Sequence, residues 1–275
     1  MRHLTGYVER NVRRRRGLRR LERRADPASH ALARAFRVAF ADAHDAAAVD
    51  WFRRIEERRD ALLRSDEVVE VRLGEYIDHP EGEHVDRRAL AEVCRNDSKP
   101  PHWGRLLFSI VRELRPRHAL ELGAGVGLSA AYQAAALELV GDGRLLTLEA
   151  AEQRVVLSRE TLRELGLGMR AEVRHGRFAE ALEPALAELA PIDYAFIDGH
   201  HEEGPTLRYW GAISPSLARS AVVLFDDIRW SPGMIRAWGA LCHDPQVDLA
   251  ADLGTVGACL VGVGDAATPL RLPVD

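Results

Sequence analysis

The sequence predicts an α/β protein. Its expected core is a doubly wound, mostly parallel seven-stranded sheet with an antiparallel last strand and an N-terminal helical extension. Three observations predict it. From residue 118 onward, short apolar runs alternate with longer amphipathic ones. A glycine-rich loop, Gly123-Ala124-Gly125-Val126-Gly127, follows the first of these runs and precedes a helical pattern. The last two apolar runs are joined only by Gly254-Thr255, too short a link for a crossover helix, so they must be antiparallel neighbours.

The elements follow in order. Residues 28–64 read as helix, with Leu32, Ala35, Phe36, Ala39 and Phe40 at helical spacing. A second run holds Trp51, Phe52, Ile55, Leu62 and Leu63. Residues 66–84 hold Val68 to Val71, then Gly74, Pro80 and Gly82, which suggests a loop or small strand. A short helix is expected over 86–95. Ser98-Lys99-Pro100-Pro101 reads as a stop and a new start, with Ser98 as a cap for the next helix. Helix 102–115 leads to strand 118–122, helix 128–140, strand 144–149, helix 151–165, strand 171–175 and helix 178–190. Strand 192–197, helix 203–218, strand 220–225 and helix 232–243 follow, then strands at about 247–252 and 256–263. The chain divides into an N-terminal helical extension or lid, residues 1–97, and a main domain, residues 98–275.

Composition narrows the class. Of 275 residues, 47% are hydrophobic and 29% charged, which excludes a collagen, a coiled-coil rod or a largely disordered chain. Nowhere are there 18 consecutive apolar residues, so no membrane span is expected. The arginines at 2, 10 and 13–16 interrupt any signal-peptide core. Three scattered cysteines, Cys94, Cys242 and Cys259, do not suggest a disulfide framework or zinc site, and a reducing cytoplasm fits them. The net charge of −4 hides ten arginines within residues 1–24, against Glu9 and Glu22. That run reads as a solvated helix. The competing reading, an arm for nucleic acid, lacks interleaved aromatic residues.

The glycine loop sits where such sheets bind a cofactor. Glycines allow close backbone approach. The second strand ends in Glu149, at the distance from the loop typical of a carboxylate that accepts from ribose hydroxyls. The spacing is G-x-G-x-G rather than that of a dinucleotide site, and Glu121 precedes it. A carboxylate there repels a pyrophosphate and attracts an amino or sulfonium group, which points to S-adenosylmethionine.

The fourth strand runs into Asp198-Gly199-His200-His201, and the fifth into Asp226-Asp227. Both ends fall at the carboxyl edge of the sheet, beside the loop. Three carboxylates brought together call for a cation, and a hard ion such as Mg²⁺ suits an all-oxygen set. His201 or His200 is a candidate base. The plainer alternatives are that Asp226-Asp227 caps a loop or pairs with Arg229, and that Asp198 binds only a backbone amide.

These motifs resemble a known family. Residues 98–263 are similar to class I S-adenosylmethionine-dependent methyltransferases with a Rossmann-like sheet. More narrowly, they resemble metal-dependent O-methyltransferases of the catechol type and natural-product sugar O-methyltransferases. The segments that carry this are Glu121 to Ser129, Thr147 to Glu149, Ile197 to His201, Phe225 to Ile228, and Trp230 to Met234 with Ala237-Trp238, and Ser98 to Gly104 is similar to the family's entry helix. The resemblance implies O-methylation of a catechol, phenol or sugar hydroxyl. It implies that Glu121, Gly123, Gly125 and Ser129 hold the methionine end of the cofactor, with Gly127 also in the cofactor-binding loop, that Glu149 holds the ribose and that Phe178 meets the adenine. It places Asp198 at both the cofactor and the metal, with Asp226 and Asp227 as further metal ligands. It makes His201 the base, with His200 beside it. The chain departs from the catechol enzymes, which have Asp-Asn in place of Asp226-Asp227 and a lysine near the histidine position.

The partner this implies is a small-molecule hydroxyl substrate. Neither nucleic acid nor a membrane is expected, and a homo-oligomer stays open. Competing readings are a metal-independent methyltransferase, an RNA-associated protein using the arginine arm, and an inactive scaffold. The RNA reading lacks an Asn/Asp-Pro-Pro-Tyr-type motif.

Overall fold

The computed structural model describes residues 2–72, 85–264 and 267–274. Gly74, Pro80 and Gly82 lie outside the described residues. Among the described ones, an eight-stranded sheet forms the centre, in the order β10-β8-β9-β7-β6-β3-β4-β5. Its strands are β3 (His118–Leu122), β4 (Arg144–Glu149), β5 (Ala171–His175), β6 (Ile192–Ile197), β7 (Leu217–Phe225), β8 (Leu249–Asp252), β9 (Gly257–Val261) and β10 (Ala267–Arg271). β9 runs antiparallel to both β7 and β8, as the short Gly254-Thr255 link requires. β10 is an eighth strand that the sequence pattern does not suggest. It pairs in parallel with β8 at the sheet edge, where Pro269 is tolerated because no outer neighbour needs its missing N–H.

Helices cover both faces because a parallel sheet is apolar on both. α8 (Phe178–Leu189), α9 (Glu203–Ile213) and α10 (Pro232–Leu241) lie on one side, over Leu120, Leu122, Ile197 and Phe225. α5 (Pro101–Leu114), α6 (Leu128–Val140) and α7 (Glu152–Glu164) lie on the other. α6 is apolar almost all round, since the sheet lies on one side of it and further helices on the other. Those further helices are α2 (Pro27–Ala41), against α5, and α3 (Ala46–Leu63), against α6. Phe52 of α3 meets Phe108 edge-on at 4.8 Å and Tyr132 at 5.6 Å. Tyr132 donates to Glu56 at 2.7 Å. The helical extension thus shares one apolar core with the sheet, from Leu21, Phe36 and Ile55 through to Tyr194.

Several local expectations are corrected. Residues 86–89, expected to open a helix, belong to strand β2 (Val85–Ala89), antiparallel to β1 (Val68–Arg72), with Glu70 facing Arg87 across the pair. The helix that follows is α4 (Leu90–Asp97). Ser98 ends α4 instead of capping α5. Pro100 takes the cap position and Pro101 the first turn, so no side chain caps α5. α9 stops at Ile213, where Pro215 forces a 3-10 turn, and β7 begins earlier than expected.

The arginine run forms α1 (Arg2–Glu22), but it is more than a solvated helix. Arg14 donates to the carbonyls of Pro273 (2.6 Å) and Val274 (2.5 Å), and Arg24 to that of Gly264 (2.6 Å). Gly17 lies so close to Leu272 that a Cβ there would come within 2.6 Å. The helix is therefore clamped to the chain's C-terminal segment. The three cysteines form no disulfide. No helix among the described residues is long and apolar enough to cross a membrane.

Candidate active site

The candidate site lies where the strand order reverses, between β3 and β6. Backbone hydrogen bonds continue past the strand ends and align the functional residues. The Gly123 N–H donates to Leu148 at 2.9 Å, the Asp198 N–H to Leu122 at 2.9 Å and the Asp226 N–H to Ile197 at 2.9 Å. Four strand ends therefore deliver the glycine loop, Glu149, Asp198 and Asp226 side by side. Above them opens a cavity of about 710 Å³. It is lined by Gly123, Gly125, Ser129, Glu149, Phe178, Asp198, His200, His201, Asp226 and Asp227, all anticipated from sequence.

The loop half is built from backbone. Gly123 has φ +100°, and a Cβ on it would meet the Asp198 carbonyl oxygen at 2.1 Å. Gly125 has φ +53° and faces open cavity. Glu149 accepts from Gly125 N–H at 3.0 Å and from Ala151 N–H at 2.9 Å, so its carboxylate is held in one orientation. Phe178 forms a side wall and approaches Gly199 closely.

Two anticipated cofactor contacts are not at the cavity wall. Gly127 shapes the turn into α6, and a Cβ there would meet Ser158 at 2.8 Å. Glu121 is fully buried. The strand's two-residue period puts it on the same side as Ala119, under α6, where Gln133 donates to it at 2.6 Å. Burial raises its pKa to about 7, against the hydrogen bond from Gln133. It underlies the loop instead of lining the cavity.

The acidic half is built from charge. Asp198, His201 and Asp226 each offer a ligand atom within 4.8 Å of the others. His201 Nε2 lies 3.6 Å from Asp198 Oδ1, and its Nδ1 lies 3.8 Å from Asp227 Oδ2. Burial raises the Asp198 pKa to about 6, although Lys99 opposes the shift. Burial, and then repulsion from Asp198, push Asp226 well above the ordinary carboxylate range. Among the described residues no donor faces Asp226 Oδ1, which is buried. The carboxylate oxygens of this set fit a hard divalent cation, with the His201 ring beside them. His200 (φ 64°), His201 (φ 25°) and Asp227 (φ 51°) all adopt the left-handed backbone, a strain that the packed strand ends sustain. Arg229 does not serve the aspartates. It pairs with Asp252 and donates to the Gly254 carbonyl at 3.1 Å.

The two histidines differ. His200 Nδ1 and the Tyr209 hydroxyl share a hydrogen bond of 2.5 Å, and both rings stand edge-on to Phe178. His201 faces the carboxylates. Trp230 lines the cavity and is exposed, whereas Trp103 is buried in the core.

One residue at the site has no role assigned by its motif. Lys99, in the turn between α4 and α5, reaches into the acidic half. Its ammonium makes a short contact with Asp226 Oδ2 and lies 3.4 Å from Asp227 Oδ1. Burial opposes its charge, but Asp198 and Asp226 outweigh burial and hold its pKa above the ordinary lysine value. A signal was present in the composition. Of the 38 basic residues, 37 are arginine, and Lys99 is the one lysine.

Residues 120–228 match the family model described as a methyltransferase domain. A catechol O-methyltransferase of Niastella koreensis is 30% identical over 114 residues, which cover 41% of this chain and 50% of the relative. One from Mycobacterium tuberculosis is 30% identical over 149 residues, 54% of this chain and 62% of the relative. The chain thus spans about half to three fifths of the length of these curated relatives. Among solved structures, an O-methyltransferase from Bacillus cereus in complex with SAH superposes with a TM-score of 0.52 at 24% identity, covering 60% of this chain and 83% of that one. The fold is that of the class I methyltransferases, and the stretch similar to the methyltransferase-domain model, residues 120–228, holds the glycine loop, Glu149, Asp198 and Asp226.

Proposed function

We propose that this chain is an S-adenosylmethionine-dependent methyltransferase. Its acceptor on this reading is a hydroxyl of a small molecule (a catechol, phenol or sugar), with a divalent cation such as Mg²⁺ assisting. The observation that carries the reading is the single cavity uniting the glycine loop and Glu149 with the Asp198–His201–Asp226 cluster. The catechol O-methyltransferases among the relatives support the acceptor class. When bound, the cofactor supplies an electrophilic methyl group and the cation lowers the pKa of the acceptor hydroxyl.

The chain's own residues do the rest. Glu149, oriented by two backbone amides, accepts from ribose hydroxyls. Phe178 walls the adenine side. The positive end of the α6 dipole, at Leu128, suits the cofactor's carboxylate. Gly125 leaves room for close approach. Asp198 and Asp226 would hold the cation, with Asp227 beside them. His201 takes the acceptor proton at Nε2, and the flanking Asp198 and Asp227 stabilise the imidazolium. His200 is committed to Tyr209 and keeps the Phe178 wall in place. Holding donor and acceptor in line can itself lower the barrier by roughly 7–11 kcal/mol.

A second reading, metal-independent transfer, is favoured by one observation: Lys99 already brings a positive charge to the carboxylates. Calorimetric titration with S-adenosylmethionine, with Mg²⁺ and with EDTA, tests both. Cofactor binding with a separate Mg²⁺ signal and chelator-sensitive methylation of catechols or sugars supports the first reading. Chelator-insensitive methylation supports the second. Absence of cofactor binding overturns both.

A further inference from the structure

We infer that Lys99 is the resident cation of the Asp198–Asp226–Asp227 cluster, and that a divalent cation binds there by displacing its ammonium. The inference rests on the metal-assisted reading above and adds a competitor to it.

Four observations carry it. The Lys99 ammonium contacts Asp226 Oδ2, an oxygen of the most deeply buried carboxylate of the three. It also lies 3.4 Å from Asp227 Oδ1. It therefore already occupies a carboxylate of the Asp198–His201–Asp226 donor set. The side chain is four-fifths buried, so this is a built contact and not a surface pair. The residue type is the third observation. A chain that uses arginine at every other basic position uses its one lysine here. An ammonium is a compact point charge with donors on all sides, like a small hydrated cation, whereas a guanidinium is a flat fork. The fourth is the turn that carries it. Arg59 of α3 donates to the Lys99 carbonyl at 2.9 Å while pairing with Glu56, and Asp97 pairs with Arg154 at the cavity rim. The backbone is anchored on both sides, so the lysine side chain is the part free to swing.

Two cations cannot share Asp226 Oδ2 in a site of low dielectric, because they repel each other there far more strongly than in water. Metal entry must move the ammonium outward, toward the open cavity. Without metal, the ammonium offsets carboxylates that would otherwise be buried with no counter-charge.

The single lysine makes the test direct. Protein labelled with ¹³C-lysine gives one ε-methylene signal from the chain. Titrating Mg²⁺ into the wild-type protein, with SAH present, should shift that signal saturably, in step with calorimetric Mg²⁺ binding. Lys99→Met should bind Mn²⁺ about tenfold more tightly or better, read by electron paramagnetic resonance. Added Mn²⁺ should also raise its melting temperature more than that of the wild type. A lysine signal that stays put while Mg²⁺ binds overturns the inference, as does unchanged or weaker Mn²⁺ affinity in Lys99→Met. Mg²⁺ binding by neither protein, with SAH binding intact, overturns the competition and the metal-assisted reading but leaves the methyltransferase reading standing. Loss of SAH binding in the wild type would sink that reading separately. If Lys99→Met does not fold, the wild-type signal titration decides alone.

Discussion

The two halves of the cavity are made in different ways. The loop half consists of backbone: a turn at Gly123 to Gly127, amides fixing Glu149, and strand ends in register. The acidic half consists of side-chain charge drawn from three distant stretches of chain, around Lys99, Asp198 and Asp226. The first is rigid because a turn has few conformations. The second is held by mutual compensation, so changing one member alters the others. Damage to the loop half should therefore appear as lost fold or lost cofactor binding, and damage to the acidic half as altered chemistry.

The largest effect should come from Gly123→Ala, because its Cβ would meet the Asp198 carbonyl oxygen at 2.1 Å and φ is +100°. We expect loss of soluble folded protein or of SAH binding by calorimetry. Gly125→Ala, whose Cβ would meet only the Asp97 carbonyl oxygen at an unstrained 3.8 Å, should fold at a cost of about 1 kcal/mol and weaken SAH binding only. Equal damage from both would break the contrast.

His201→Gln should cut methyl transfer by roughly 10²–10⁴-fold. Its SAH affinity should stay within about twofold of wild type, because no cofactor-side hydrogen bond depends on it. A matching loss of SAH binding would show that the halves are not separable.

Glu121 links the halves to pH. Its folded-state pKa of about 7 lies above the ordinary 4.5, so the native state holds its proton more tightly than the unfolded chain does. That stabilisation is complete below about pH 4.5 and is lost as pH rises through 7. Glu121→Gln keeps the neutral form and should gain up to about 3 kcal/mol over the wild type at pH 8, read by urea unfolding across pH. A wild-type stability that is flat between pH 5 and 8 would refute this.

Arg59→Met should have a modest effect, about 1–3 kcal/mol, because it removes the donor on the Lys99 carbonyl and leaves Glu56 with Tyr132 but no cationic partner. It should also broaden the lysine signal. A melting shift without broadening would mean that Arg59 supports the fold and not the turn.

The loop half could be read along the chain because its determinants are local. A strand, three glycines, a helix and a carboxylate at the next strand's end fall within about thirty residues. Asp198, His201, Asp226 and Asp227 were legible for the same reason, each standing at the end of a run of apolar strand residues. Other features left no periodic trace. α1 hides its short apolar stripe, Leu18 and Leu21, among arginines. β10 contains Pro269, and β2 contains Asp86, Arg87 and Arg88, so neither looks like a strand. Each is decided by an edge or a partner strand elsewhere in the chain.

By itself the sequence determined the alternating strands and helices, the glycine turn, and the carboxylates at the carboxyl edge. These follow from short-range rules of period, turn geometry and chirality. Only the tertiary structure decided that Glu121 lies beneath α6, that His200 is tied to Tyr209 and that Lys99 enters the acid cluster. Those outcomes depend on which strand neighbours which, and on where burial makes an unpaired charge too costly to leave alone.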